Sequence, residues 1–243
     1  MSSAALPAAS LSANRFSLGR FVGQGRHPLC SPRASVSPTR QGRGGPPSES
    51  HGEHHCKGDG EMERTITYFD KPGAENTSAV LALVKRRAAE AGVQRVVVAS
   101  TTGDTARQAA EALGEAGLKL IVIPHQHGFG DQSRFDPHIA EQLEKAGHRV
   151  HWATMLFHTE EFYGTNAPTA LANVLRTFGQ GTKVCIEILL MAADAGLVSR
   201  GERAIVVAGS GRGADTAILA TASTSNRLRE VRVHEILCKP GLY

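Results

Sequence analysis

The sequence predicts an α/β fold, a three-layer α/β/α sandwich built on a mostly parallel sheet. Three observations lead there. Short apolar runs at residues 95–99, 119–123 and 204–208 lack the alternation of a one-sided strand, so they read as strands buried on both faces. Between them lie segments with helical apolar spacing, several closed by a glycine: Gly92, Gly117, Gly147 and Gly196. Strand and helix therefore alternate, and alternation implies a sheet covered on both faces.

The elements follow in order. Residues 65–69 read as a strand, and residues 70–77 as a loop ending in capping residues. Residues 78–91 carry Val80, Leu81, Leu83, Val84 and Ala88 on one helical face. The strand at 95–99 leads through a hydroxyl-rich turn into a helix running to Ala116. A strand at 119–123, a helix at 136–146 and a short strand at 149–153 come next. The looser region 154–181 contains a helix over 168–178, and an apolar helix spans 184–195. A buried strand at 204–208 enters a glycine-rich turn. Residues 217–222 are ambiguous by period, and residues 231–237 are rich in β-formers.

Residues 1–62 differ from everything after them. Arg15, Arg20, Arg26, Arg33, Arg40 and Arg43 all precede the first acidic residue, Glu49, and Ser, Ala, Pro and Gly fill the rest. This composition predicts a disordered leader, an organelle transit peptide plus linker, with a plastid favoured over a mitochondrion. The folded domain is expected over residues 63–243, enough chain for one good core. The formal charge of +4 comes largely from the leader, and no aromatic-plus-basic stripe suggests nucleic-acid binding. No apolar run is long enough to span a membrane. Cys30, Cys56, Cys185 and Cys238 have no disulfide-like spacing, which points to a reducing compartment. His51, His54, His55 and Cys56 lack a second cluster at zinc-finger spacing, so no metal site is expected.

Two strand ends carry ligand chemistry. Ser100, Thr101, Thr102, Gly103 and Thr105 lie between a strand and a helix N-terminus, where backbone N–H groups, hydroxyls and the helix dipole suit a phosphate. The same residues also suit plain helix capping. The turn at 209–216 holds Gly209, Gly211 and Gly213, which permit close backbone approach, and Arg212, which suits a phosphate. His125 and His127 directly follow a strand and form a third candidate. Residues 209–214 match G-x-G-x-x-G/A on paper, but too little chain follows for a second mononucleotide unit. Neither a G-x-x-x-x-G-K-[ST] loop nor a G-x-S-x-G elbow is present.

These stretches together resemble the pyruvate kinase C-terminal domain. The strand and Ser-Thr-Thr-Gly-Asp-Thr turn at 96–106 resemble its effector loop. Residues 186–210 are similar to its last helix, Gly-Leu turn and Val-Val-x-Ala-Gly strand, and residues 231–234 to its closing strand. The likeness is closer to small stand-alone archaeal and bacterial proteins of the pyruvate kinase alpha/beta domain family. The shared stretches are Tyr-Phe-x-x-Pro-Gly-x-Glu-Asn-Thr (68–77), Val-Ala-Ser-x-x-Gly-x-Thr-Ala (98–106), Lys-Val-Cys-x-Glu-Ile-x-x-Met-Ala-Ala-Asp-Ala-Gly (183–196) and Gly-Ala-Asp-Thr-Ala (213–217). The resemblance covers nearly all of residues 64–243. It implies a domain without the catalytic barrel, hence without pyruvate kinase activity, and flavin mononucleotide (FMN) as ligand. Asp104 stands where the kinases often carry a basic residue, which disfavours a sugar bisphosphate more than phosphate in general.

The leading expectation is therefore binding of a phosphorylated small molecule, with FMN as cofactor. Ser100, Thr101, Thr102, Gly103 and Thr105 would hold the phosphate. Gly211 and Gly213 would add backbone contacts, and His125 or His127 would meet the rest of the ligand. An enzyme acting on a phosphorylated metabolite is the alternative, with Glu187, Asp194 and His125 as its candidate catalytic groups. A structural or regulatory domain without ligand is a third class. Whether a reaction occurs stays open, as does a homo-oligomeric assembly.

Overall fold

The computed structural model describes residues 63–130 and 134–241. The expected leader, with Cys30, Cys56 and the histidine-rich stretch at 51–56, lies outside the described residues. Within them, seven strands form one sheet: β1 (Thr67–Phe69), β2 (Arg95–Ala99), β3 (Lys119–Ile123), β4 (Arg149–Val150), β5 (Arg203–Ala208), β6 (Thr216–Thr221) and β7 (Arg232–Pro240). Their order is β1-β7-β6-β5-β2-β3-β4. β6 runs antiparallel to both its neighbours, β5 and β7, and every other pairing is parallel. This is the mostly parallel α/β sheet that the alternating pattern predicts.

The three layers follow from the pleat. Side chains alternate across a strand, so Val96 and Val98 face one side of the sheet while Val97 faces the other. The first side packs against α1 (Thr77–Ala91), α2 (Asp104–Gly114) and α3 (Pro137–Lys145) through Val84, Leu113 and Leu143. The second packs against α5 (Ala167–Arg176) and α6 (Gln180–Asp194), with Ile121, Val206 and Ile218 meeting Ile188, Leu189 and Ala192. A four-residue α4 (Glu160–Tyr163) precedes α5. α6 is buried on nearly every side from Gly181 to Ala193, so its sequence is apolar almost throughout. Each fully buried Leu or Met of such a helix contributes roughly 1.5–3 kcal/mol.

Local signals set the helix ends. Gly92 closes α1 in the left-handed conformation, φ 64°, its N–H reaching the carbonyls of Ala88 and Ala89. The Asp136 carboxylate accepts the His138 N–H at 2.8 Å, and Pro137 fills the first turn of α3. α6 starts at Gln180, four residues before the apolar spacing suggests, because polar Gln180 and Thr182 mask its first turn. The expected strand at 149–153 shortens to two residues. Residues 217–222, ambiguous by period, fall largely in β6, whose residues are buried on both faces. The turn after β5 thus leads into an antiparallel strand and not a crossover helix, which removes the dinucleotide fingerprint on topological grounds.

α1 is clamped to β7 by a two-pronged ion pair. Arg87 Nε donates to Glu235 Oε2 at 2.8 Å and Arg87 Nη2 to Oε1 at 2.5 Å. The hydrogen bond from Arg87 holds the Glu235 carboxyl below its ordinary value. A carboxylate depressed on folding adds stability that is complete above its unfolded pKa and is lost as pH falls through the folded one. The stability gap between wild type and Glu235→Gln, measured by urea unfolding, is therefore expected to shrink as pH drops from about 5 to about 3. A gap that stays constant over that range would show that the pair contributes no charge-dependent stability.

Candidate functional site

In a sheet of this kind ligands bind beyond the carboxyl ends of the parallel strands. β2 and β5 are neighbours, so the turns that follow them face each other. Between these turns lies a cavity of about 660 Å³, within the range of small-molecule sites. Ser100, Thr101, Thr102, Asp104 and Thr105 line one side and residues 209–213 the other, with Arg107, Gln108, His125, Arg134, Gln180 and Val184 among the remaining lining.

The first turn is held by Ser100. Its buried hydroxyl oxygen accepts the N–H groups of Gly103 at 3.2 Å and Ala106 at 3.3 Å, which brings the chain round into α2. Ser100 therefore has the capping role, and Gly103 commits its N–H to the turn and does not line the cavity. Gly103 adopts φ 102°, and a Cβ there would sit 2.8 Å from Ile139 Cδ1. The Thr102 hydroxyl donates to Asp104 Oδ2 at 2.8 Å. The amides of Thr101, Thr102 and Thr105 have no hydrogen-bond partner among the described residues. They stand at the positive end of the α2 dipole.

The second turn is organised by Asp215, which is fully buried. Its carboxylate accepts the Ser210 N–H at 3.0 Å, the Ser210 hydroxyl at 3.3 Å and the Thr216 hydroxyl at 2.8 Å. Thr77 Oγ1 accepts the Ala214 N–H at 3.0 Å, which ties the turn to the start of α1. The glycines were expected to let a ligand approach the backbone. At two of them the neighbour is the protein itself: a Cβ on Gly209 would lie 2.3 Å from the Gly213 carbonyl, and one on Gly213 2.4 Å from Ala74 Cα. Only Gly211, among the three, has open space around it.

Arg107, Arg134 and Arg212 reach the cavity and Asp104 opposes them, so the side-chain balance there is cationic. Arg107 also pairs with Glu111 at 3.1 Å, whereas Arg134 and Arg212 form no ion pair among the described residues. His125 lies at the cavity wall, and burial pushes its imidazole below its ordinary value, helped by the charge of Arg134. His127, two residues on, stacks on Trp152 at 5.3 Å with 19° between the rings. That contact holds its ring, and His127 does not line the cavity.

Glu187 and Asp194 do not line it either. Glu187 is buried, accepting Lys183 Nζ at 2.6 Å, the Phe157 N–H at 2.9 Å and His158 Nδ1 at 3.3 Å. Asp194 is exposed at the end of α6, where it accepts the Ser225 N–H at 2.8 Å. The two carboxylates have separate structural partners and do not form an acid/base pair. Burial raises the thiol of Cys185 well above its ordinary value and that of Cys238 to about 12, which rules both out as nucleophiles. Among the described residues no cluster of His, Cys, Asp or Glu is arranged to hold a metal ion.

Sequence reasoning missed Arg107, Gln108, Arg134, Gln180 and the organising role of Asp215. A buried acid directly after a glycine turn was a usable signal for Asp215, since it must find donors nearby. No local signal marked Arg134, which the chain brings back from a loop.

No protein-family profile matches the sequence. Its structural neighbours are pyruvate kinases. One from Cryptosporidium parvum shares 18% identity at a TM-score of 0.36, covering 63% of this chain and 24% of that one. Another structure of the enzyme gives 17% and 0.35, covering 63% and 23%, and a complex with ADP gives 17% and 0.33. The chain thus spans about a quarter of the length of these enzymes, and their activity does not transfer with so partial a likeness.

The crowding at Gly213 and the space at Gly211 make a matched test. Gly213→Ala combines a left-handed φ of 73° with a clash against Ala74 and is expected to cost roughly 1–3 kcal/mol. Gly211→Ala should stay within about 1 kcal/mol of wild type. Thermal denaturation of the two variants measures this, and equal costs would show that the turn is not packed against the segment at Ala74.

Proposed function

We propose that this protein binds a phosphate-bearing small ligand in the cavity between the β2 and β5 turns, with FMN as that ligand. The observation that carries the reading is the meeting, in one cavity, of helix N-terminal amides and the guanidinium groups of Arg134 and Arg212, none of which has a hydrogen-bond or ion-pair partner among the described residues. An anion answers both. FMN adds the resemblance to the stand-alone domains, and the cavity volume suits a mononucleotide. The phosphate would sit on Thr101, Thr102 and Thr105, with Ser100 holding the turn and Arg212 closing from the opposite side. His125 would meet the remainder of the ligand. The cavity is built by one mononucleotide-sized unit, because the chain after β5 turns back into β6, so NAD or NADP is a poor fit.

The test is a titration of FMN, riboflavin, NAD and NADP by fluorescence quenching or calorimetry. FMN is expected to bind saturably. Riboflavin should be weaker by about one to two decades, as befits the loss of charge-assisted hydrogen bonds worth roughly 1.5–3 kcal/mol. Arg212→Gln should weaken FMN by a similar factor while leaving the melting temperature within about 2 °C of wild type. Equal affinity for both flavins, or NAD binding as tightly as FMN, would defeat this reading.

A further inference from the structure

Among the side chains lining the cavity, His125 is the one imidazole. Its ring packs edge-on against Phe129 at 4.8 Å, and the same phenyl ring meets His158 at 5.6 Å. Behind His158 lies the buried Lys183–Glu187 pair at 2.6 Å, with Lys183 Nζ 5.5 Å from the centre of the Phe157 ring. His125 therefore sits between the cationic cavity and this inner charged group.

We propose that His125 is the specificity-determining residue of the cavity, taking up one proton when a dianion binds and so making the site select doubly charged ligands. This rests on the phosphate-binding reading above. The charges around His125 set its empty state. Arg134, His158 and Lys183 disfavour its protonated form, while Glu187 favours it. The Lys183 and Glu187 charges largely offset each other at 2.6 Å, which leaves burial and Arg134 as the main causes holding the imidazole below its ordinary value. Arg212 adds a further positive charge at the cavity, while Arg107 is paired with Glu111 and Asp104 opposes both. A dianion seated among these arginines cancels their net positive charge. The imidazole then gains an opposite charge beside it, its pKa rises, and it binds a proton from solvent. A monoanion offers less compensation to the same set of cations and drives less uptake.

Linkage fixes the direction of the effect. Since the complex holds one more proton than the empty protein, affinity must increase as pH falls across the window in which empty His125 is neutral and bound His125 is charged. The probe is sulfate, which stays a dianion throughout and contributes no protons of its own. Calorimetry of the full chain in two buffers of different ionisation enthalpy, between pH 6 and 8, counts protons directly. The wild type should take up a substantial fraction of one proton and bind sulfate roughly tenfold more tightly at pH 6 than at pH 8. His125→Gln should show no uptake and a pH-independent affinity, and His158→Gln should retain the uptake. If His125→Gln fails to fold, NMR titration of the wild-type imidazoles with and without sulfate gives the same answer, the His125 midpoint moving upward on binding. Sulfate binding with buffer-independent enthalpy and flat affinity would overturn the proposal alone, as would uptake that survives in His125→Gln. Absence of binding by both sulfate and inorganic phosphate would overturn the phosphate reading and this proposal together.

Discussion

The carboxylate of Glu187 is the constraint around which one side of the molecule is assembled. A charge buried at 2% exposure needs partners for both oxygens, and here they come from different parts of the chain. Lys183 supplies one from the same helix, and the Phe157 amide and His158 supply the other from the segment after β4. Removing a partner of such a group typically costs about 3–5 kcal/mol. The pair therefore fixes where α6 lies against the 155–158 segment. α6 in turn delivers Gln180 and Val184 to the cavity. Packing in the second helical layer and the geometry of the cavity are thus joined through one buried ion pair.

The two turns that form the cavity solve a similar problem with neutral parts and one acid. Ser100 gathers two amides and bends β2 into α2. Asp215 gathers an amide and two hydroxyls and bends β5 into β6. In both, the group that shapes the turn is buried, and other residues of the turn line the cavity.

Much of this fold was legible in the sequence, because parallel strands buried on both faces leave unbroken apolar runs. β2 and β3 are plain for that reason, and Gly92 marks the end of α1. β6 was not, since an apolar run of Ala, Ile and Leu has no period to separate strand from helix. Of the candidate site, Ser100, Thr101, Thr102, Thr105, His125, Gly211 and Gly213 line one cavity, while Gly103 and His127 lie off it. Neighbouring histidines in one loop have different surroundings, and the sequence holds nothing to say that Trp152 captures only the second. Asp194 and Glu187 share an apolar helix, yet one ends it at the surface and the other is sunk in the core. Distant partners decide these cases, and periodicity does not see them.

Cys185 and Cys238 sit in the cores on opposite faces of the sheet, both shut away from water and both kept protonated by burial. A thiol in that state is inert to oxidants and alkylating agents. Each sulfur thus becomes reactive only in the interval when its own layer parts from the strands. The molecule carries two internal clocks, one per face, and their separate rates of chemical capture distinguish a breath of one layer from the opening of the whole domain.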